Sequence, residues 1–446
     1  MPLSHGSRAA TLVACGALLL AGAACGTEQP EEATVTQVRL YGTDGTMISG
    51  YAAELKERAD LIDGMKGTTP LTPLPDAFKN RLRSVDPKLQ DYLYSAEAYD
   101  AVVISALAAQ LAGSTEPASI AKQIVGVTND GRRCEEPATC LRLARNGQDI
   151  EYRGVSLTRA GFTDAGEPAT ASYGTLTFGE KRIDDGKTEF VGAGDETAAS
   201  TKKPPRPARQ SGGKAPSAPL VLGGLLPRSG DLVLAYPPMA AGIALAIKDI
   251  NAAGGVLGAD VVWVDGDDGT NPAVAKATLA KHVARGVHVI IGAGASGISR
   301  AILPDVVAAG LVLFAPSNTD AGLTSMEDKG LYFRTAPPDS LQGRALADVI
   351  LRDGPHKIVL VARKDSYGEG LQESVRAELE RVGVGGGQVK LLTYDPPADA
   401  KAPPVDFTAG AREIKEYGAD AVLVIGFAES AQVILALADS GVQIRH

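Results

Sequence analysis

The sequence predicts an α/β fold built from doubly wound parallel sheets, and three observations predict it. Between residues 220 and 319, short apolar runs (LVLGGLL, ADVVWV, VHVII, LVLFA) alternate with longer stretches of helical period. The runs are apolar almost throughout rather than alternating, as strands covered by helices on both faces are. Gly- and Asp-rich turns separate them, so each strand–helix–strand unit advances in one direction through a right-handed crossover. Ligands of such sheets bind beyond the carboxyl ends of the strands. Ser229, Ser296 and Ser317-Asn318-Thr319 stand at those ends.

With 446 residues the chain exceeds one ordinary core and calls for at least two. Its 44% hydrophobic and 22% charged residues are those of a globular protein. A formal net charge of −9 argues against a nucleic-acid partner, because no basic surplus exists to neutralise phosphates.

At the amino terminus, Arg8 precedes an apolar run that ends in Gly22-Ala23-Ala24-Cys25. The run is too short to span a bilayer and has the small-residue exit of a secretory signal. Residues 1–25 therefore read as a signal of the bacterial lipoprotein kind, with Cys25 the lipidated residue and Cys15 the alternative. Residues 26–34, GTEQPEEAT, read as a polar tether. The expected location is the outer face of the cell membrane. In that oxidising compartment Cys134 and Cys140, which enclose EEPAT, are expected to form a disulfide.

In order, VTQVRLYG reads as a strand, residues 51–63 as a helix, and the Pro-rich GTTPLTPLP (67–75) as a crossing between lobes. DAFKNRLRSVD is an amphipathic helix, residues 92–112 a buried helix ending at Gly113, and 114–126 another helix with a cap-like start. Hairpin-like strands occupy 150–190. Residues 195–218 are rich in Pro, Ser, Lys and Arg and read as a disordered linker. After the lobe that opens at 219, Tyr332 to Pro338 forms a second crossing, and further βαβ units run to VQIRH. A strand is due there, whereas VRLYGTDG near the amino terminus is a strand with no helix leading into it. The two ends complement one another.

The motifs LPRSG (226–230), AIKDINAAGGVLG (246–258), IIGAGASG (290–297), APSNT (315–319), YFRTAPPDSLQG (332–343) and SYGEG (366–370) closely resemble the extracellular solute-binding proteins of the leucine/isoleucine/valine-binding type. YGTDG (41–45) and the stretch 98–121 resemble segments that normally close that fold. The resemblance implies the type I periplasmic-binding fold: two lobes, three hinge crossings, and a small solute held between them. It also implies a circular permutant, with 35–194 equivalent to the family's carboxyl-terminal part and 219–446 to its amino-terminal part; two incomplete copies in tandem, or a fragment of a longer chain, are the alternatives. One lobe would then hold 219–336 with 68–168, the other 338–446 with 35–67 and 169–195.

Hydroxyls and backbone N–H groups at helix starts suit a ligand carboxylate. By resemblance Ser296 and Thr319 hold the carboxylate and amino group of an amino acid, Ser317 adds its backbone, and Asp44 pairs with the ammonium. Tyr367, Phe427 and Tyr236 would be walls, Phe427 lacking the hydroxyl of the tyrosine common there. The implied partners are a small solute and an ABC-type permease, with the chain a monomer. A signalling partner in place of the permease is the alternative. No cofactor or metal is expected, and no enzyme. Gly292, Gly294 and Gly297 form GxGxxG, yet Ala315-Pro316-Ser317 stands where a ribose-binding acid belongs. There is no nucleophile elbow, and His282 and His288 are poorly spaced for a metal.

Overall fold

The computed structural model describes residues 37–206, 218–399 and 401–445. Cys15, Cys25, the tether and part of the linker lie outside these residues.

Two sheets carry the fold. In the smaller, five parallel strands lie in the order Tyr332–Arg334, Val312–Ala315, Val289–Gly292, Val221–Leu225, Val262–Val264. Counted along the chain this is the doubly wound order 2-1-3-4-5. Its central strands, Val289–Gly292 and Val312–Ala315, are wholly buried, as their unbroken apolar runs require.

The larger sheet has nine strands, and its parallel part runs Val389–Tyr394, Ile358–Arg363, Ala421–Ile425, Gln37–Gly42, Lys66–Pro70. The amino-terminal strand lies in the middle: Arg39 to Gly42 pair in parallel with Ala421 to Val424. Gln37 and Val38 also pair with Gln443 and Ile444. This sheet repeats the order 2-1-3-4-5 only when 37–70 are read after 358–425. Thr170–Gly179 adds an antiparallel edge, with Arg182–Ile183 and Glu189–Gly194 folded onto it.

Three segments pass between the sheets. One leads from Lys66–Pro70 to helix Asp76–Val85, which packs on helix Tyr236–Ala252. Another joins Ile150–Tyr152 to Thr170–Gly179. The last joins Tyr332–Arg334 to helix Asp339–Arg352, which packs on Ser366–Arg381 and the strand Lys66–Pro70. Helix Ser95–Ala112 is buried all round, and Gly113 caps it in the left-handed region (φ 62°). Helix Tyr236–Ala252 lies against it, and Gly242 permits the contact, because a Cβ there would meet the Ser95 carbonyl at 2.2 Å.

Cys134 and Cys140 form the expected disulfide, with Cα atoms 5.5 Å apart. Three features differ from the sequence reading. Residues 49–62 form 3₁₀ turns broken at Lys56 (φ 54°), where no Gly or Asn announces a left-handed residue. Ile150–Tyr152 pairs in parallel with Arg132–Cys134 instead of joining a hairpin. Residues 195–206 do not hang free. Ser200 N–H donates to the Phe162 carbonyl (2.8 Å), its hydroxyl to Asp164, and Gln123 Nε2 to the Pro205 carbonyl (3.2 Å). Backbone pairing holds this stretch where composition offers no apolar anchor.

Candidate ligand site

The strand Gln37–Gly42 ends in the turn Thr43-Asp44-Gly45, which delivers Asp44 into the interior. Its carboxylate accepts three hydrogen bonds: from the Tyr94 hydroxyl (2.8 Å), the Tyr367 hydroxyl (2.8 Å) and Gln342 Nε2 (3.1 Å). Tyr94 precedes helix Ser95–Ala112 in the left-handed region (φ 56°), a conformation uncommon for a bulky residue. Tyr367 sits in the first turn of helix Ser366–Arg381, and its hydroxyl also lies 2.8 Å from Thr43 Oγ1. Burial pushes the Asp44 carboxyl up, and the three donors pull it back. Burial, then the Asp44 charge, pushes the phenols of Tyr94 and Tyr367 well above their usual range, so both remain donors.

On the smaller sheet the two loops after Val289–Gly292 and Val312–Ala315 are laced together. Ser296 Oγ accepts the N–H groups of Thr319 (3.1 Å) and Asp320 (3.2 Å). Ser317 Oγ donates to the Gly294 carbonyl (2.8 Å), and Asn318 Nδ2 to the Ala293 carbonyl (2.9 Å). Helix Ser296–Ala309 opens at Ala295 with no side-chain cap, a start that suits an anion, although the amides of Ile298 and Ser299 already donate to the Ala295 carbonyl. Thr319 opens no helix; Asp320 after it caps the short turn Ala321–Ser325.

The helix Asp339–Arg352 ties the loops to Asp44. Asp339 N–H donates to the Thr319 carbonyl (2.6 Å), and Gln342, one turn on, reaches both Asp44 and the Thr68 carbonyl (3.2 Å). Around this junction five side chains keep buried polar atoms without a hydrogen-bond partner among the described residues: Thr68 Oγ1, Tyr173 Oη, Thr319 Oγ1, Gln342 Oε1 and both carboxyl oxygens of Asp339. Buried polar groups are ordinarily paired, so such a concentration makes this junction the candidate ligand site. The nearby cation is already committed. Arg334, fully buried, donates to Glu167 (2.9 Å) and to the carbonyls of Asn318 and Asp320.

Ser296, Ser317, Thr319, Tyr367 and Asp44 are thus brought together. Phe427 stands behind Tyr367, its ring stacked at 5.2 Å and 17°, with the Arg363 guanidinium over it at 4.0 Å. Tyr236 is not brought in. Its helix begins at Tyr236 itself, and its ring lies under Arg228 in a groove shared with Trp263 of the edge strand. Ser229 is also spent elsewhere, donating to Asp267 (2.6 Å). Sequence reasoning missed Asp339, Gln342, Tyr94, Thr68 and Tyr173. Asp339 and Gln342 lie inside the motif YFRTAPPDSLQG, where they read as helix-start residues; the rest gave no signal.

The glycine loop serves the fold. A Cβ on Gly292 (φ 140°) would meet the Leu225 carbonyl at 2.0 Å. The amides of Ala293 and Gly294 are bound by Ser299 (3.1 Å) and the buried Asp268 (2.7 Å), not offered to a phosphate. His282 and His288 each bond the backbone of strand Val221–Leu225.

The family model described as periplasmic binding protein matches residues 219–445, half of the chain. The chain belongs to the periplasmic binding protein family. This is a family of solute binders, not of catalysts. Among curated relatives, the Leu/Ile/Val-binding protein homolog 3 of Brucella melitensis is 27% identical over 232 residues, 51% of this chain and 60% of that protein. The leucine-specific-binding protein of Salmonella typhimurium is 32% identical over 185 residues, 41% of this chain and 47% of that one. The chain spans about half the length of the curated relatives it matches. Among solved structures, the branched-chain amino acid transporter substrate binding protein LivJ of Streptococcus pneumoniae, in complex with isoleucine, is 26% identical. The match covers 51% of this chain and 63% of that one, with a TM-score of 0.42. The leucine binding protein LivK of Thermotoga maritima is 21% identical, covering 50% and 61%, with a TM-score of 0.40.

Proposed function

We propose that this protein is the exported, lipid-anchored receptor of an ABC-type importer, and that it captures an amino acid of the branched-chain kind between two closing lobes. One observation carries the reading. An acid from the amino-terminal segment, Asp44, and the hydroxyl-bearing loops of residues 296 and 317–319 converge on one buried junction whose polar atoms lack partners. That arrangement answers a zwitterion. The uncapped start of helix Ser296–Ala309 and Ser296 suit the carboxylate; Thr319 and Asp44 suit the ammonium. Tyr367, backed by Phe427, would cover the ligand, and the names of the curated relatives supply the branched-chain class. Ligand contacts to both lobes would shift the population toward a closed form.

The same reading makes the chain a circular permutant, supported by the strand order that the larger sheet recovers when its front segment is read last. The lobes would be 219–336 with 68–168, and 338–446 with 35–67 and 169–195. The test is a thermal-shift screen of the purified protein against the common amino acids. Leucine, isoleucine or valine should raise the melting temperature, a ligand at 100 times its dissociation constant adding about 2.7 kcal/mol. A shift with another solute class and none with any amino acid removes the assignment.

A further inference from the structure

A cavity of about 150 Å³ lies beside the ligand junction, and none of the residues brought together at that junction lines it. Its apolar walls are Met47, Leu71, Leu74, Leu93, Leu176 and Phe190. They come from the turn after strand Gln37–Gly42, the passage out of Lys66–Pro70, the loop before helix Ser95–Ala112 and the antiparallel edge. A space of this size admits a molecule as large as benzene. Three charged side chains also face it: Lys79, Asp91 and Asp185. Lys79 Nζ stands over the Tyr92 ring (5.4 Å), and Arg182 answers Asp185 (3.7 Å). Asp91 is different. Half-buried, it accepts the Ser49 N–H (3.2 Å) and pairs with no cation among the described residues. Burial pushes its carboxyl up, the Ser49 bond pulls it back, and Asp185 nearby pushes it up again.

Apolar walls with one unanswered acid suit a small amine. Its body displaces water from the leucines, and its ammonium donates a charge-assisted bond to Asp91. An anion would meet two acids, and a plain hydrocarbon would leave Asp91 unanswered. We propose that this cavity is a second binding site, taking a primary amine with a compact aromatic or branched-alkyl body, and that it is coupled to the solute site. The coupling has a visible route. Adjacent residues of a strand face opposite ways. Thr69 lines the cavity, while Thr68 belongs to the junction, its carbonyl bound by Gln342 (3.2 Å). Leu93 lines the cavity too, and the next residue, Tyr94, donates to Asp44 (2.8 Å). An occupant braced against Thr69 and Leu93 favours the arrangement in which Asp44 is held. Amine and solute therefore strengthen each other's binding. The site stands on the cavity itself; the coupling rests on the amino-acid reading.

The experiment is calorimetric titration of the purified protein with benzylamine, and with benzyl alcohol as its uncharged match, each with and without saturating L-leucine. Wild type, Asp91→Asn and Leu74→Trp are compared. Benzylamine should bind the wild type at least about tenfold more tightly than benzyl alcohol does. In Asp91→Asn that preference should vanish, while leucine affinity measured without amine stays unchanged. Leu74→Trp fills the cavity and should abolish binding of both probes. Saturating benzylamine should lower the leucine Kd by about fivefold or more, and leucine should lower the benzylamine Kd by the same factor. Benzylamine affinity that is unchanged in Asp91→Asn, or mutually exclusive binding of benzylamine and leucine, overturns the proposal. Should that variant fail to fold, equal wild-type affinity for the two probes overturns it equally. A wild type that binds leucine but not benzylamine removes this inference alone. A wild type that binds benzylamine with the stated preference, but no amino acid, removes the functional reading and the coupling and leaves the amine site standing.

Discussion

Replacing Asp44 by Asn separates what this carboxyl does for the ligand from what it costs the fold. The side chain is buried and accepts bonds from Tyr94, Tyr367 and Gln342. An amide of the same shape keeps one acceptor oxygen, and a rotatable phenol hydroxyl can accept from its NH₂ group. Burial holds the folded-state pKa above the unfolded value, so the native state binds the extra proton more tightly. Stability is then full below the unfolded pKa and declines as pH rises through the folded one. Asn escapes that decline, so the unliganded variant should melt no lower than wild type at pH 7. Ligand binding should suffer. Losing one partner of a buried charge pair costs about 2–5 kcal/mol, or about 30-fold to a few thousand-fold in Kd. At a leucine concentration of 100 wild-type Kd, the ligand adds about 2.7 kcal/mol to wild type; after a 100-fold loss it adds only about 0.4 kcal/mol. Differential scanning fluorimetry with and without leucine reads both effects. A variant that keeps the full leucine shift refutes the ammonium role of Asp44.

Other outcomes follow from particular contacts. Glu167→Ala leaves Arg334 buried and unpaired, which should cost about 3–5 kcal/mol in urea unfolding. It should also loosen the 317–320 loop, whose carbonyls Arg334 holds. Gly45→Ala places a Cβ 2.2 Å from the Gly426 carbonyl and 2.7 Å from the Phe427 ring, so stability should drop by about 1–3 kcal/mol and leucine binding weaken. Burial pushes Glu97 up to about 8; the wild type should lose stability as pH rises from 5 to 8, and Glu97→Gln should flatten that slope in thermal melts. Reducing the Cys134–Cys140 bridge, with its separation of 6 residues, should cost roughly 2 kcal/mol in melts with and without reductant.

Much of the fold is legible in the sequence because it is local. Runs such as VHVII and LVLFA are apolar on both faces, and the turn residues that follow them place the loops at strand ends. The unmatched strand VRLYGTDG announces its place beside Ala421–Ile425, because a strand with no helix leading into it must be completed from elsewhere. What stays hidden depends on contacts distant in sequence. Nothing around Tyr94 signals that its hydroxyl meets Asp44, and Tyr173 belongs to an antiparallel strand whose partners on both sides lie far off or are unmarked in the sequence. Asp339 looks like an acid in the first turn of a helix, where acids are common. Only its two orphaned oxygens distinguish it. Tyr236 fails for the opposite reason: proximity to a motif says nothing about which side of the helix its ring takes.

The strand Gln37–Gly42 is synthesised among the first of the described residues, and its partners Ala421–Ile425 and Gln443–Ile444 among the last. Lys66–Pro70 can cover one edge early, but for most of translation the other edge waits bare and able to adhere to neighbours. The larger half matures late, through contacts of very long range, and is expected to assemble slowly. A stalled or clipped product would carry a finished small sheet beside a sticky, half-made one.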